Sequence, residues 1–168
     1  MNPLVSIIMG STSDLPVLKK AAEFLDSMEI PFEMNALSAH RTPLEVEKFA
    51  VGARDKGIKV IIAAAGMSAA LPGVIASLTS LPVIGVPINS SLEGMDALLS
   101  IAQMPPGIPI ASVGINAGLN AAILAARILS LNSSSILEKL DKYSAGLSEK
   151  IVKANNELGE IKYNFKTN

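Results

Sequence analysis

The sequence predicts a three-layer α/β domain built on a parallel sheet, and three observations carry the prediction. Apolar runs without alternation recur at residues 4–9, 60–66 and 82–86, which is how strands buried on both faces read. Each run is followed by a turn or loop rich in Gly, Ser or Pro and then by apolar residues at helical spacing. Strands and helices alternate along the chain, which calls for a parallel sheet with right-handed crossovers. The 168 residues fit a single domain, with a core over about 4–131 and a C-terminal helix and tail over about 132–168.

The first strand, residues 4–9, is broken only by Ser6 and closes at Gly10. Leu18, Ala21, Ala22 and Leu25 then form one helical stripe, and Asp14 or Ser13 is expected to be its N-cap. Residues 32–37 read as the second strand. Thr42 and Glu45 have the spacing of a capping box, with Pro43 at the first helical position. That helix presents Val46, Phe49, Ala50 and Ala53 on one face and stops at Gly57.

Residues 60–66 form the third strand, 69–78 a short helix carrying Pro72 and Gly73, 82–86 the fourth strand and 87–91 a loop. Residues 93–103 are helical by pattern until Met104-Pro105-Pro106-Gly107 breaks them, and residues 108–113 are expected as the fifth strand. Asn116 opens a helix that runs through Leu119, Ala122, Ile123, Ala126 and Ile128 to Leu131. Ile136, Leu140, Tyr143, Leu147, Ile151 and Leu158 stripe a long final helix, beyond which residues 164–168 should fray. The simplest arrangement of these strands is the flavodoxin-like order 2-1-3-4-5.

Composition narrows the function. The chain is 49% hydrophobic and only 17% charged, against roughly a quarter charged in an ordinary domain. From Val60 to Ala126 the only charged residues are Glu93 and Asp96. Helices that are apolar all round need cover, and in so small a domain other subunits must supply it, so a compact homo-oligomer is expected. A membrane span is not, because Gly66, Pro72, Gly73, Pro82, Gly85 and Pro87 interrupt the run short of the roughly 18–20 apolar residues required. A net charge of −1 with scattered Lys and Arg leaves no footprint for nucleic acid or an anionic membrane. The absence of cysteine excludes disulfides, and a lone histidine argues against a structural zinc site. The first four residues lack a basic region and a long apolar run, so a cytoplasmic protein is expected.

His40 is the only histidine, and Arg41 stands directly beside it. Imidazole is the one side chain that both takes and gives a proton near neutral pH at its ordinary pKa, so acid/base chemistry is sought here first. The pair lies between a strand's carboxyl end and a helix's amino end, where open α/β sheets bind ligands. In the expected strand order three loops adjoin, at residues 11–14, 38–41 and 66–72. Hydroxyls and free N–H groups at a helix start suit a phosphate, and Arg41 adds a two-pronged cation, so a phosphorylated small molecule is the expected ligand. Plain helix capping also accounts for residues 11–14, and close packing of backbone for the small residues 66–73. An FMN-binding module is a weaker alternative, because Phe24, Phe32, Phe49, Tyr143, Tyr163 and Phe165 all fall outside the loops.

Several motifs taken together resemble a known family. They are Gly10-Ser11-Thr12-Ser13-Asp14, Ser38-Ala39-His40-Arg41-Thr42-Pro43, Leu71-Pro72-Gly73, Leu81-Pro82-Val83-Ile84-Gly85-Val86-Pro87 and Gln103-Met104-Pro105-Pro106-Gly107-Ile108-Pro109. Over about residues 5–131 the chain is similar to the class I N5-carboxyaminoimidazole ribonucleotide mutases of purine biosynthesis. The resemblance implies a flavodoxin-like subunit, a homo-octamer and no metal or organic cofactor. It further implies that His40 is the general acid/base and that Ser11, Ser13, Asp14, Ser38 and Arg41 contact the ribonucleotide. Ala65, Gly66, Ser68, Ala70 and Leu71 would cover the imidazole and the migrating carboxylate. The family usually has histidine immediately before its Leu-Pro-Gly, where this chain has Ala70, so His40 would act alone. A neighbouring class that carboxylates aminoimidazole ribonucleotide directly with CO2 is the second reading.

Overall fold

The computed structural model describes residues 2–168. Five parallel strands lie in the order β2-β1-β3-β4-β5, the order expected from sequence. The chain runs through β1 (Val5–Met9), α1 (Leu15–Ser27), β2 (Phe32–Ala36), α2 (Pro43–Gly52), β3 (Val60–Gly66) and α3 (Ala70–Leu78). It continues through β4 (Val83–Ile88), α4 (Met95–Ala102), β5 (Ala111–Ser112), α5 (Gly118–Ser130) and α6 (Ser134–Glu160). Short 3-10 turns, Thr12–Asp14 and Leu92–Gly94, precede α1 and α4.

The pleat divides the core between two faces, because side chains two apart on a strand share a face. Val5, Ile7 and Met9 of β1, with Ile62, Ala64, Ile84 and Val86, pack under α1, α5 and the first half of α6. Ile8, Ile61, Ala63, Ala65 and Val83 pack under α2, α3 and α4. The apolar runs lack alternation for this reason: β1, β3 and β4 are covered on both sides. Ser6, the one polar residue of β1, is fully buried and donates to Glu33 Oε1 at 3.1 Å.

The structure corrects four expectations in detail. The fifth strand is two residues long rather than six, pairing Ala111 with Ile84 and Ser112 with Gly85. Pro109 has no N–H to contribute to a longer ladder at this sheet edge. Asp14 stands at the N-cap position of α1 as expected, but its side chain makes no capping bond; Ser11 caps the preceding 3-10 turn, its hydroxyl accepting from Ser13 N at 3.3 Å. Thr42 makes no capping bond to α2, since its hydroxyl is engaged with Ser38. Residues 92–94 interrupt the start of the fourth helix with three successive left-handed conformations, φ 43° at Leu92, 54° at Glu93 and 82° at Gly94.

α6 docks by its first half only. Leu140 is buried, Tyr143 meets Phe24 edge-on with ring centroids 5.1 Å apart, and Lys139 donates to the Met28 carbonyl at 3.0 Å and pairs with Glu29 at 2.6 Å. Farther along, Ile151, Val152, Leu158, Tyr163 and Phe165 are exposed, Phe165 by 96%. Exposed apolar side chains also include Leu44, Met67, Leu92, Met95 and Leu99.

α1 and α5 approach closely at Gly118, where a Cβ would lie 2.3 Å from the Val17 carbonyl oxygen. Backbone cannot yield as a side-chain tip can, so Gly118→Ala must separate the two helices. The expected cost is about 2 kcal/mol or more, a fall in melting temperature of roughly 5 °C at this chain length. Gly146→Ala, in α6 with nothing within 4 Å of the added methyl, should be neutral or stabilising by up to about 1 kcal/mol through helix propensity. Calorimetry of the two variants checks the contrast, and equal melting temperatures would refute the close-packing account.

Candidate active site

The site forms at the carboxyl ends of four neighbouring strands. Met9 pairs with Ala36 on one side and Ala64 on the other, so β1 and β2 end level with each other, while β3 runs on two residues to Gly66, opposite the end of β4 at Ile88. β4 is aligned with them through Val86 and Ala64. Their exit loops enclose an open cavity of about 540 Å³.

The β1 loop places Ser11, Ser13 and Asp14 on the cavity wall. Asp14 N donates to the Ser11 carbonyl at 3.1 Å, closing the 3-10 turn, and Ser13 Oγ donates to Asp14 Oδ1 at 3.3 Å. Asp14 is only 6% exposed, and burial pushes its carboxyl pKa above the ordinary carboxylate value. Hydrogen bonds from the Ser13 side chain and the Ser11 backbone oppose that rise without cancelling it.

The β2 loop is a closed hydrogen-bonded turn. Ser38 N donates to Thr42 Oγ1 at 2.9 Å, and Thr42 Oγ1 donates to the Ser38 carbonyl at 3.1 Å. Ser38 Oγ accepts from Arg41 N at 3.2 Å and from Arg41 Nε at 3.3 Å. Those bonds aim the guanidinium toward the first loop, where Nη2 donates to the Gly10 carbonyl at 2.8 Å. The Thr42 hydroxyl is thus part of the turn that orients Arg41, which is why it is not available as a cap. His40 is exposed at the cavity's edge.

The β3 loop supplies small groups: Ala65, Gly66, Ser68, Ala70 and Leu71 all line the cavity. Met67 and Ala69 take left-handed conformations with φ 54° and 32°, strain that is stored preferentially at functional sites. Ala69 N donates to the Gly66 carbonyl at 3.0 Å, holding the turn, and Ala70 begins α3.

All eleven site residues expected from sequence therefore face one cavity. Gly10, Ala39, Met67 and Ala69, which belong to the motifs and loops singled out from sequence, also line it, and Ser90 is the wall residue that sequence reasoning missed. Ser90 comes from the β4 loop, and the strand order already placed that loop next to the β3 loop. Charge is segregated, with Asp14, His40 and Arg41 on the β1 and β2 side and no charged residue among the β3 and β4 contributions. Such a cavity suits a ligand with an anionic end near Arg41 and a flat, largely neutral end against the alanines. Among the described residues no three imidazole or carboxylate groups cluster as metal ligands would.

Comparison with known proteins bears on what this cavity does. The AIR carboxylase family matches residues 4–150. A Pyrococcus abyssi protein named N5-carboxyaminoimidazole ribonucleotide mutase is 58% identical over 142 residues, 84% of this chain and 82% of its own. A Thermotoga maritima protein of the same name is 49% identical over 162 residues, 96% of this chain and 95% of its own. The phosphoribosylaminoimidazole carboxylase of Candida glabrata is 47% identical across 96% of this chain, which spans 28% of that longer protein. The crystal structure of Treponema denticola PurE superposes with a TM-score of 0.84 at 33% identity, covering 93% of this chain and 98% of that one. With a family match over residues 4–150 and relatives alike across most of their own length, this chain belongs to the AIR carboxylase family.

Proposed function

We propose that the protein is an N5-carboxyaminoimidazole ribonucleotide mutase, an isomerase of purine biosynthesis that moves a carboxylate from N5 to C4 of the aminoimidazole ring. The observation that carries this reading is the meeting of His40, Arg41 and a wall of small residues on one cavity, in a chain whose relatives bear that name. Arg41, with Ser11 and Ser13, binds the phosphate; a guanidinium offers two parallel N–H donors to such a group. Asp14 accepts hydrogen bonds from the ribose, and Ser38 keeps Arg41 in place. The ring then lies toward Ala65, Gly66, Ser68, Ala70 and Leu71.

His40 serves both halves of the reaction. As imidazolium it donates a proton to the exocyclic nitrogen of the carbamate; the N–C bond breaks, its electron pair stays on nitrogen, and CO2 is released into the cavity. Carbon 4 of the electron-rich ring attacks that CO2 and becomes tetrahedral. Neutral His40 then removes the proton from carbon 4, restoring the aromatic ring and its own charged form. Atoms and protons balance over the cycle with one shuttle and no cofactor. The protein's main contribution is to keep CO2 beside the ring, a proximity effect that free solution lacks.

A second reading, direct carboxylation of aminoimidazole ribonucleotide by external CO2, is favoured by the Candida glabrata relative's name. Labelled CO2 separates the two. Under the mutase reading the wild type converts N5-carboxyaminoimidazole ribonucleotide without added bicarbonate, and label in solution enters the product poorly. His40→Asn should lower turnover by at least about 100-fold while leaving ribonucleotide binding largely intact. Free entry of label, with turnover demanding CO2, would establish direct carboxylation instead.

The working form we propose is a cytoplasmic homo-oligomer, on the family likeness an octamer. The exposed apolar side chains of α4 and of the outer half of α6 support it. Among the described residues no helix is long and apolar enough to cross a membrane. Analytical ultracentrifugation should give a closed oligomer at micromolar concentration, and a stable monomer would remove this part of the reading.

Asp14 yields a prediction whose sign follows from its burial. Its folded-state pKa lies above the ordinary value, so its contribution to stability is full below the unfolded-state pKa and is lost as pH rises through the folded-state pKa. At neutral pH the buried carboxylate therefore costs stability in the unliganded protein. Asp14→Asn, which retains an oxygen acceptor for Ser13, should raise the melting temperature at pH 7, with the gain shrinking as pH falls through the carboxylate range. The same variant should bind ribonucleotide more weakly. A gain that persists unchanged at pH 3.5 to 4 (about the range of an ordinary carboxylate) would show that burial of charge is not its cause.

A further inference from the structure

We propose that Ser90 contacts the substrate, its hydroxyl donating to the migrating carboxylate from the β4 side of the cavity; this deepens the mutase reading and rests on it. Ser90 lines the cavity opposite the charged groups. Its position is determined from two directions. Asn89 N donates to Asn116 Oδ1 at 3.0 Å, and Asn116 N donates to the Pro87 carbonyl at 2.8 Å, so Asn116 staples the end of β4 to the loop before α5. Asn116 holds φ 56°, a left-handed conformation that asparagine tolerates better than most residues. Ser90 N donates to the Ile88 carbonyl at 3.0 Å, a three-residue turn that folds the chain back over β3.

Gly66 lies directly beneath. A Cβ there would stand 2.3 Å from Ser90 Oγ and 3.0 Å from Ser90 Cβ, so the serine occupies the space that the glycine leaves open. Ser90 Oγ takes part in no hydrogen bond among the described residues, although the neighbouring Ser91 hydroxyl is paired with Asp96. An exposed hydroxyl without a protein partner on a cavity wall has its donor free for a ligand.

The segregation of charge says which part of the ligand. Arg41 is on the β1 and β2 side with the phosphate, so apart from the His40 imidazolium that serves the exocyclic nitrogen, a carboxylate against the β3 and β4 wall meets no cation. Neutral donors must serve it there, and Ser90 supplies one. A neutral donor also suits chemistry in which the carboxylate must come off as CO2, because a fixed cation would hold the ionised form too firmly.

The test compares two ligands in wild type and Ser90→Ala. Ser90→Ala should lower kcat/KM for N5-carboxyaminoimidazole ribonucleotide roughly ten-fold, the worth of one hydrogen bond to a charged group. Calorimetric affinity for aminoimidazole ribonucleotide, which lacks the carboxylate, should stay within about two-fold, a split that a general structural defect would not produce. Turnover by Ser90→Ala within about two-fold of wild type, or equal loss with both ligands, overturns the proposal while leaving the mutase reading standing. A wild type that neither binds aminoimidazole ribonucleotide nor turns over the carbamate overturns the mutase reading and this inference with it.

Discussion

Parallel pairing of β1 on both of its edges is the constraint from which the site follows. A one-residue slip of β1 would exchange its two faces and carry Ser6, its one polar residue, away from Glu33. Met9 therefore sits level with Ala36 and Ala64, so β1 and β2 end at one height and β3 ends two residues beyond it. The hydroxyl-rich turn, the histidine–arginine turn and the alanine-glycine turn come from distant parts of the sequence, yet none needs a long excursion to reach the others. The Arg41 to Gly10 bond, 2.8 Å across the gap between the first two turns, is a consequence of that alignment.

Within this frame, stability has been set aside at particular atoms. Asp14 is a carboxylate withdrawn from water with its pKa displaced upward, and a core optimised for stability alone would not place one there. Met67 and Ala69 hold left-handed backbone that glycine would adopt without strain. Both departures lie on the same cavity, while left-handed backbone occurs away from it as well, at Glu29, Leu92, Glu93 and Asn116. The β3 wall shows the complementary economy: Ala63 and Ala65, on the face that α3 covers, are buried with side chains no larger than a methyl group, which lets α3 and its loop approach the sheet closely.

The fold was legible in the sequence because its signals were redundant. The apolar runs of β1, β3 and β4, the glycine or proline punctuation and the helical stripes each implied the same sheet, and the strand order followed from topology rules rather than from any single residue. What stayed illegible was the local competition for hydrogen bonds. Thr42 and Glu45 have the spacing of a capping box, but the Ser38 backbone lies close enough to engage the threonine hydroxyl first. The expected fifth strand had five apolar residues and one serine over 108–113, yet strand length at a sheet edge depends on which N–H groups find partners, and Pro109 contributes none. Capping before α1 shifted to Ser11 for a similar reason, since a 3-10 turn intervened that periodicity does not reveal.

The site was legible only as far as its motifs were local. Ser11 to Asp14 and Ser38 to Arg41 announce themselves by residue type, and His40 by being unique in the chain. Ser90 carries no such signal: it is one serine in an Asn-Ser-Ser loop, and its meaning comes from Gly66, which is 24 positions away in sequence but directly beneath it in space. Neither residue points to the other until the sheet aligns β3 with β4, pairing Gly66 with Ile88. Pairwise complementarity of this kind, a missing side chain under a serine, is a property of register. A reading by residue type finds the groups that are chemically unusual, whereas the groups that are ordinary but unusually placed emerge only when the strands are set side by side.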